Sequence, residues 1–195
     1  FFATLILAIG LLVITYASYY LGPTDPPGKF YATLMLFMAA MLGIVLADNL
    51  LLLVVFWELT SLSSFLLVGY WNEQTQARRG ARQALIVTGV GGVVLAAGAL
   101  LLGEIGGTHQ ISALLAQGGA LQNHPLFSWA LVMVLIGAVT KSAQFPFHFW
   151  LPDAMAAPTP VSAYLHSAAM VKAGIYLVAR LAPDLSAVNT WHLVV

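Results

Sequence analysis

Six stretches of this 195-residue chain run almost without charge, at roughly 1–21, 30–47, 50–71, 80–103, 126–150 and 160–182, and a seventh begins near Trp191. Each complete stretch has about the 17 to 25 residues that a helix needs to cross a hydrocarbon core. Backbone groups in that medium must be satisfied within the segment, which a helix does. Charged residues make up 7% of the chain and hydrophobic ones 61%, against roughly 25% charged in an ordinary soluble domain. The expected fold is therefore all-α, a polytopic membrane helix bundle of about six spans plus the start of another. Phe1-Phe2 already lies in an apolar run with no basic flank, so residues 1–21 read as a transmembrane helix cut at its start, not as a signal peptide. The chain reads as a fragment of a longer protein.

Seven acidic and seven basic side chains cancel, so no global charge draws the chain to nucleic acid. There is no cysteine for a thiolate site or nucleophile, and the five histidines form no close pair at metal-ligand spacing. No metal and no cofactor is expected. Only Asp48-Asn49 separates the second and third stretches, yet one helix over 30–71 would be about 63 Å long, so a hairpin is expected with Asp48 or Asn49 capping the third helix. Arg78, Arg79 and Arg82 sit between the third and fourth spans and are expected to face the cytoplasm, with 104–125 outside and Arg180, near the outer end of the sixth span, a mild exception. Ala84, Thr88, Gly92 and Ala96 repeat every four residues, which predicts close backbone packing of the fourth span inside the bundle. Tyr16, Tyr19, Tyr20, Tyr70, Trp71, Trp129 and Trp191 fall at span ends, as interfacial rings do. His109, His124, His192, Asp25 and Asp184 read as solvated loop or boundary residues.

The chemistry lies in the ionisable residues left inside the spans. Glu58 follows the apolar run Leu50 to Trp57 and shares the third span with Ser61; a carboxylate there needs a partner or a proton. Lys141, Gln144 and His148 are spaced three and four apart, which on an unbroken helix makes one polar stripe. Pro146, followed by Pro152, Pro158 and Pro160, breaks that helix, and freed carbonyls at membrane depth are tolerated only beside protein or a water-filled cavity. Lys172 lies near the middle of the sixth span, six positions after His166. Burial disfavours a charged amine and a nearby carboxylate favours it, so moving the carboxylate switches proton affinity. Asp153 is expected to cap the next helical segment.

The runs Phe56-Trp57-Glu58-Leu59-Thr60-Ser61, Lys141-Ser142-Ala143-Gln144-Phe145-Pro146-Phe147-His148-Phe149-Trp150-Leu151-Pro152-Asp153 and Pro158-Thr159-Pro160 through His166 to Lys172-Ala173-Gly174 resemble the proton-translocating antiporter superfamily. That superfamily includes the large membrane-arm subunits of respiratory complex I and of Mrp-type multisubunit sodium/proton antiporters. The Glu-Leu-Thr-Ser wording after Trp57 is more similar to the A subunit of the Mrp type. The resemblance implies an inverted-repeat protein, with 1–29 a preceding helix and cytoplasmic loop, 30–182 the first five-helix repeat with a discontinuous fifth span, and 183–195 the start of the next helix. It implies that Glu58 pairs with Lys141, while His166 and Lys172 continue a polar path along the middle of the membrane; the stripe leading into Pro146 separately marks His148 for proton handling near the helix break. On this reading the chain is not an enzyme but a proton-conducting subunit of a cation (sodium)/proton antiporter, partnered by other membrane subunits in the plasma membrane. A proton-pumping subunit of a redox-driven NADH:quinone oxidoreductase would use the same residues, and a structural scaffold would keep them as ion pairs; the sequence leaves all three open.

Overall fold

Residues 1–23 and 25–185 are described in a computed structural model of the chain. The start of a seventh span near Trp191 lies outside them, as does His192. Among the described residues the regular elements are all helices, with one isolated antiparallel bridge between Asn49 and Gln110. Helix α1 (Phe2–Tyr20) runs from one end of the bundle to the other, α2 (Pro27–Leu46) returns, α3 (Leu50–Val68) descends again and α4 (Thr75–Gly106) comes back. Two short helices, α5 (Ile111–Ala116) and α6 (Gly118–Leu121), lie at that end before α7 (Phe127–Lys141) turns inward. After α7 the chain makes a 3-10 turn at Phe147–Phe149 and the short helices α8 (Trp150–Ala154) and α9 (Thr159–Ser162). It then crosses through a π-helical stretch, Ala163–Ala169, into α10 (Met170–Leu185). Five of these segments, α1 to α4 and Thr159–Ala182, are long and apolar enough to span a membrane, and α7 is a shorter apolar helix. The chain is an integral, multi-pass membrane protein.

The hairpin between α2 and α3 forms where the polar pair interrupts the apolar run. Asn49 is the residue that caps: its Oδ1 accepts from the amides of Leu51 and Leu52 at 2.9 and 3.1 Å. Asp48 has a different task. Its carboxylate accepts from the hydroxyl and amide of Ser112 at the start of α5 and from the Arg180 guanidinium, 3.0 Å away on α10. Arg180 also donates to the carbonyl of Ala47 and to Tyr176. The exception to the charge rule is thus a clasp joining three parts of the chain at one end of the bundle.

Helix α4 is the central post. Its 32 residues amount to about 48 Å, and it packs against α3, α7 and α8. Ala84, Thr88 and Gly92 are buried in those contacts as their spacing predicts, whereas Ala96 is only half-buried. At the other end Arg78, Arg79 and Arg82 are exposed, and Gly80 lies against the carbonyl of Asp153, where any Cβ would collide with backbone. Asp153 therefore does not cap α9: it sits within α8, and the residue at the α9 N-terminus is Pro158, with Pro160 in the first turn. Two boundary residues also turn out to be tied down. Asp25 accepts from the indole of Trp71 at 3.1 Å and the amide of Gly22 at 3.0 Å. Tyr70 is buried and donates to the Pro26 carbonyl, because the α1–α2 loop folds back over the end of α3.

The Ser112 hydrogen bond, assisted by Arg180, holds the Asp48 carboxyl below its ordinary value of 3.8. A depressed carboxylate stabilises the fold above its unfolded value and loses that contribution as the pH falls through the folded one. Thermal unfolding of the detergent-solubilised full-length protein is expected to show wild type ahead of Asp48→Asn at neutral pH, with the gap closing only below pH 3.8.

Candidate functional site

Helix α7 stops in the interior. After 15 residues, about 23 Å of helix, it ends at Lys141 in a cap that resembles those glycine supplies. The amides of Ser142, Ala143 and Gln144 bond back to the carbonyls of Ala138, Thr140 and Val139 at 3.0, 3.3 and 3.1 Å. This geometry places Ala143 at φ 49°, the left-handed region that a Cβ disfavours. The Phe145–Pro146 peptide bond beyond it is cis.

The cap leaves Lys141 fully buried. Its ammonium donates to the carbonyl of Trp57 at 2.7 Å and to the hydroxyl of Ser61 at 2.8 Å, and sits 4.8 Å from the centroid of the Trp57 ring. A carbonyl, a hydroxyl and an aromatic face thus serve the three donors of one cation. The negative end of the α7 dipole lies on the same side and favours it further.

Glu58 does not touch Lys141. Among the described residues Asp48–Arg180 is the ion pair within 4.0 Å, so the expected direct pairing of Glu58 with Lys141 is corrected to proximity without contact. The reason is the geometry of α3. Trp57 and Ser61 are four apart and share the face that Lys141 meets, whereas Glu58 is turned about 100° from Trp57 and reaches toward α4. There its Oε1 occupies the space a Cβ on Gly92 would take, and it is buried without a hydrogen-bond partner. The adjacent Gly91 makes room in the same way for the hydroxyl of Thr140, the residue before Lys141.

The stripe of Lys141, Gln144 and His148 is not formed, because the helix ends before it can develop. Gln144 and His148 are exposed, and His148 stacks on Phe145 with centroids 6.0 Å apart. His166 lies inside, in the π-helical stretch, with neither ring nitrogen hydrogen-bonded. It meets the edge of the Trp150 ring at 6.2 Å, and the Trp150 indole donates to the carbonyl of Thr140 at 3.0 Å. One buried aromatic therefore stands between His166 and the end of α7. Lys172 is exposed on α10 and shares no hydrogen bond with His166 or Lys141 among the described residues. Pro146 and Val139, with Ser142, Gln144, Gly174 and Ile175, line a cleft of about 640 Å³ between the broken helix and α10. Ser142 donates to the carbonyl of Val171 at 2.7 Å beside it. Trp150 stands in the proline-rich motif and Gly91 among the small residues of the fourth span, but the contacts that give each its place join distant segments.

Comparison with known proteins comes to one family. Residues 47–195 match the family described as NADH:quinone oxidoreductase/Mrp antiporter, TM. The whole chain is 56% identical over 194 residues to 19% of a protein of Rhizobium meliloti (strain 1021) named as the A/B component of a probable K(+)/H(+) antiporter. It is 51% identical over 190 residues, 97% of the chain, to 24% of a protein of Staphylococcus aureus (strain JH9) named as the A1 component of an Na(+)/H(+) antiporter. A solved structure titled "Structure of Mrp complex from Dietzia sp. DQ12-45-1b" superposes with a TM-score of 0.92 at 44% identity, over 99% of this chain and 21% of that one. The chain thus spans about a fifth to a quarter of the length of the relatives it matches.

Because Ala143 carries a Cβ in the left-handed region, Ala143→Gly is expected to stabilise the full-length protein by about 1 kcal/mol, read as a raised unfolding temperature. A β-branched residue there, as in Ala143→Val, is expected to lower it.

Proposed function

This chain belongs to the NADH:quinone oxidoreductase/Mrp antiporter transmembrane family, and from that premise we propose that it is the proton-conducting portion of the A subunit of a multisubunit cation/proton antiporter. The observation that carries this reading is Lys141: a lysine wholly inside the bundle, at the end of an interrupted helix, bonded to a carbonyl and a hydroxyl with a carboxylate nearby but not in contact. An amine placed so can release its proton without breaking an ion pair. Glu58 is the movable charge beside it, favouring the proton on Lys141 when it swings toward α7 and releasing it when it lies over Gly92. His166 relays protons on the side of Trp150, and Lys172 carries the path outward into parts of the protein beyond this chain. His148, at the exposed break, exchanges protons with water near the cleft. Residues 30–182 form the first repeat. A sodium or potassium ion moves in the opposite direction, the other membrane subunits complete the assembly, and the complex resides in the plasma membrane with the Arg78, Arg79 and Arg82 end in the cytoplasm.

A titrating lysine and an anchoring lysine answer substitution differently. Removing one member of a buried charge group costs about 3–5 kcal/mol, so assembly is measured first. Both Lys141→Met and Lys141→Arg are then expected to abolish cation-dependent proton exchange in everted membrane vesicles, because arginine keeps the charge but does not release a proton. Exchange at the wild-type rate in Lys141→Met overturns the reading. Quinone reductase activity that is lost along with exchange would point instead to a redox-driven pump. Sidedness has its own check: in a cysteine-free full-length protein, Gln76→Cys is expected to react with an impermeant maleimide only from the cytoplasm and Ser112→Cys only from outside.

A further inference from the structure

A carboxylate that shuttles toward a buried amine must have a defined resting place, and the buried Oε1 of Glu58 has no hydrogen-bond partner to provide one. Two features of the bundle converge on it. The first is Gly92 on α4: a Cβ there would overlap Glu58 Oε1, would approach its carboxyl carbon to 2.8 Å and would come within 3.3 Å of Trp57 Cδ1. The second is the indole of Trp57, fully buried, whose Nε1 has no hydrogen-bond partner although its ring packs beneath the Lys141 ammonium. Indole N–H can only donate and an ionised carboxylate can only accept. Both orphaned groups border the same spot, where α4 lacks a side chain. Buried polar atoms of complementary kind are ordinarily joined directly or through a water.

We propose that Gly92 and Trp57 are positioning residues for Glu58: the missing side chain at 92 forms the seat of the carboxylate, and the Trp57 N–H holds it there through one bound water. The inference rests on the proton-handling reading of Glu58 and Lys141 and deepens it. The same tryptophan then serves both charges, its ring and carbonyl facing the lysine and its N–H the glutamate. Gly91, one residue earlier, accommodates Thr140 beside Lys141, so two consecutive glycines set the carboxylate of α3 and the amine of α7 against a single turn of α4. A general need for small residues in helix packing does not account for this division. Gly89, on the same helix, has nothing within 4 Å of its would-be Cβ and serves as the control.

The test uses the full-length protein assembled with its partner subunits, comparing Gly92→Ala, Gly89→Ala and Trp57→Phe. Cation-dependent proton exchange is measured in vesicles, and the Glu58 carboxyl band is identified by infrared difference against Glu58→Gln. Gly89→Ala is expected to match wild type. Gly92→Ala is expected to lose exchange by about ten- to a hundredfold, with the band displaced. Trp57→Phe keeps an aromatic ring but not the donor; it is expected to shift the band and slow exchange about tenfold. An unmoved band in Trp57→Phe overturns the proposal, as does wild-type exchange with an unmoved band in Gly92→Ala. Should Gly92→Ala fail to assemble, the Trp57→Phe band alone decides. Wild-type exchange in Lys141→Met defeats the transport reading instead, while the band shift still reports on the seat.

Discussion

The bundle is organised around the hydrogen bond from the Lys141 ammonium to the carbonyl of Trp57. A cation inside a low-dielectric helix bundle must be met by oriented dipoles, and α3 and α7 approach each other where those dipoles lie. The Trp57 carbonyl is already an acceptor within its own helix and also receives the hydroxyls of Thr60 at 2.7 Å and Ser61 at 3.3 Å. Several donors crowd onto one turn of α3, and the lysine joins them. Moving Lys141 one position along α7 would carry it round the helix by about 100° and away from that turn. The cap at Ala143 therefore matters as much as the lysine, since it fixes where α7 ends.

Helix α4 converts this local demand into an arrangement of three helices. Its glycines let α3 and α7 close onto it: Gly98 lies against the carbonyl of Ala130, and Gly137 of α7 lies against the carbonyl of Gly91. A further close approach, of Gly174 on α10 to Ala138 and Ser142, brings the cleft wall against the end of α7. Backbone proximity thus brings together the helices that carry the ionisable residues. At the opposite end the clasp of Asp48, Ser112 and Arg180 ties the hairpin, α5 and α10 together in a polar setting.

What the sequence revealed was local. Composition and run length gave the spans; the polar pair gave the hairpin and narrowed its cap to Asp48 or Asn49; and the prolines announced that the fifth span would not continue. What it concealed was rotational and long-range. Helix α3 is apolar around most of its circumference, so nothing in its pattern says that Trp57 and Ser61, not Glu58, face the lysine. Pro146 marks a break but not its start, and because the helix actually ends five residues earlier, His148 leaves the stripe and reaches the surface. Asp48 and Arg180 are separated by 132 positions, and the ties of Trp150 to Thr140 and His166 likewise depend on how segments fold back, which no local spacing encodes.

The shortness of α7 carries an electrical consequence. A helix of 15 residues covers about 23 Å, less than the roughly 30 Å of a hydrocarbon core, and the cleft beside its end is open in this chain. Where water enters such a cleft, the insulating layer is thinned locally and the transmembrane voltage drops over a shorter distance. On the proposed proton-conducting reading, a proton stepping across that layer near Lys141 would meet most of the voltage in one short move, worth about 2.3 kcal/mol per 100 mV. On that reading the early end of the helix would act as an electrical lens, concentrating the field at the buried amine.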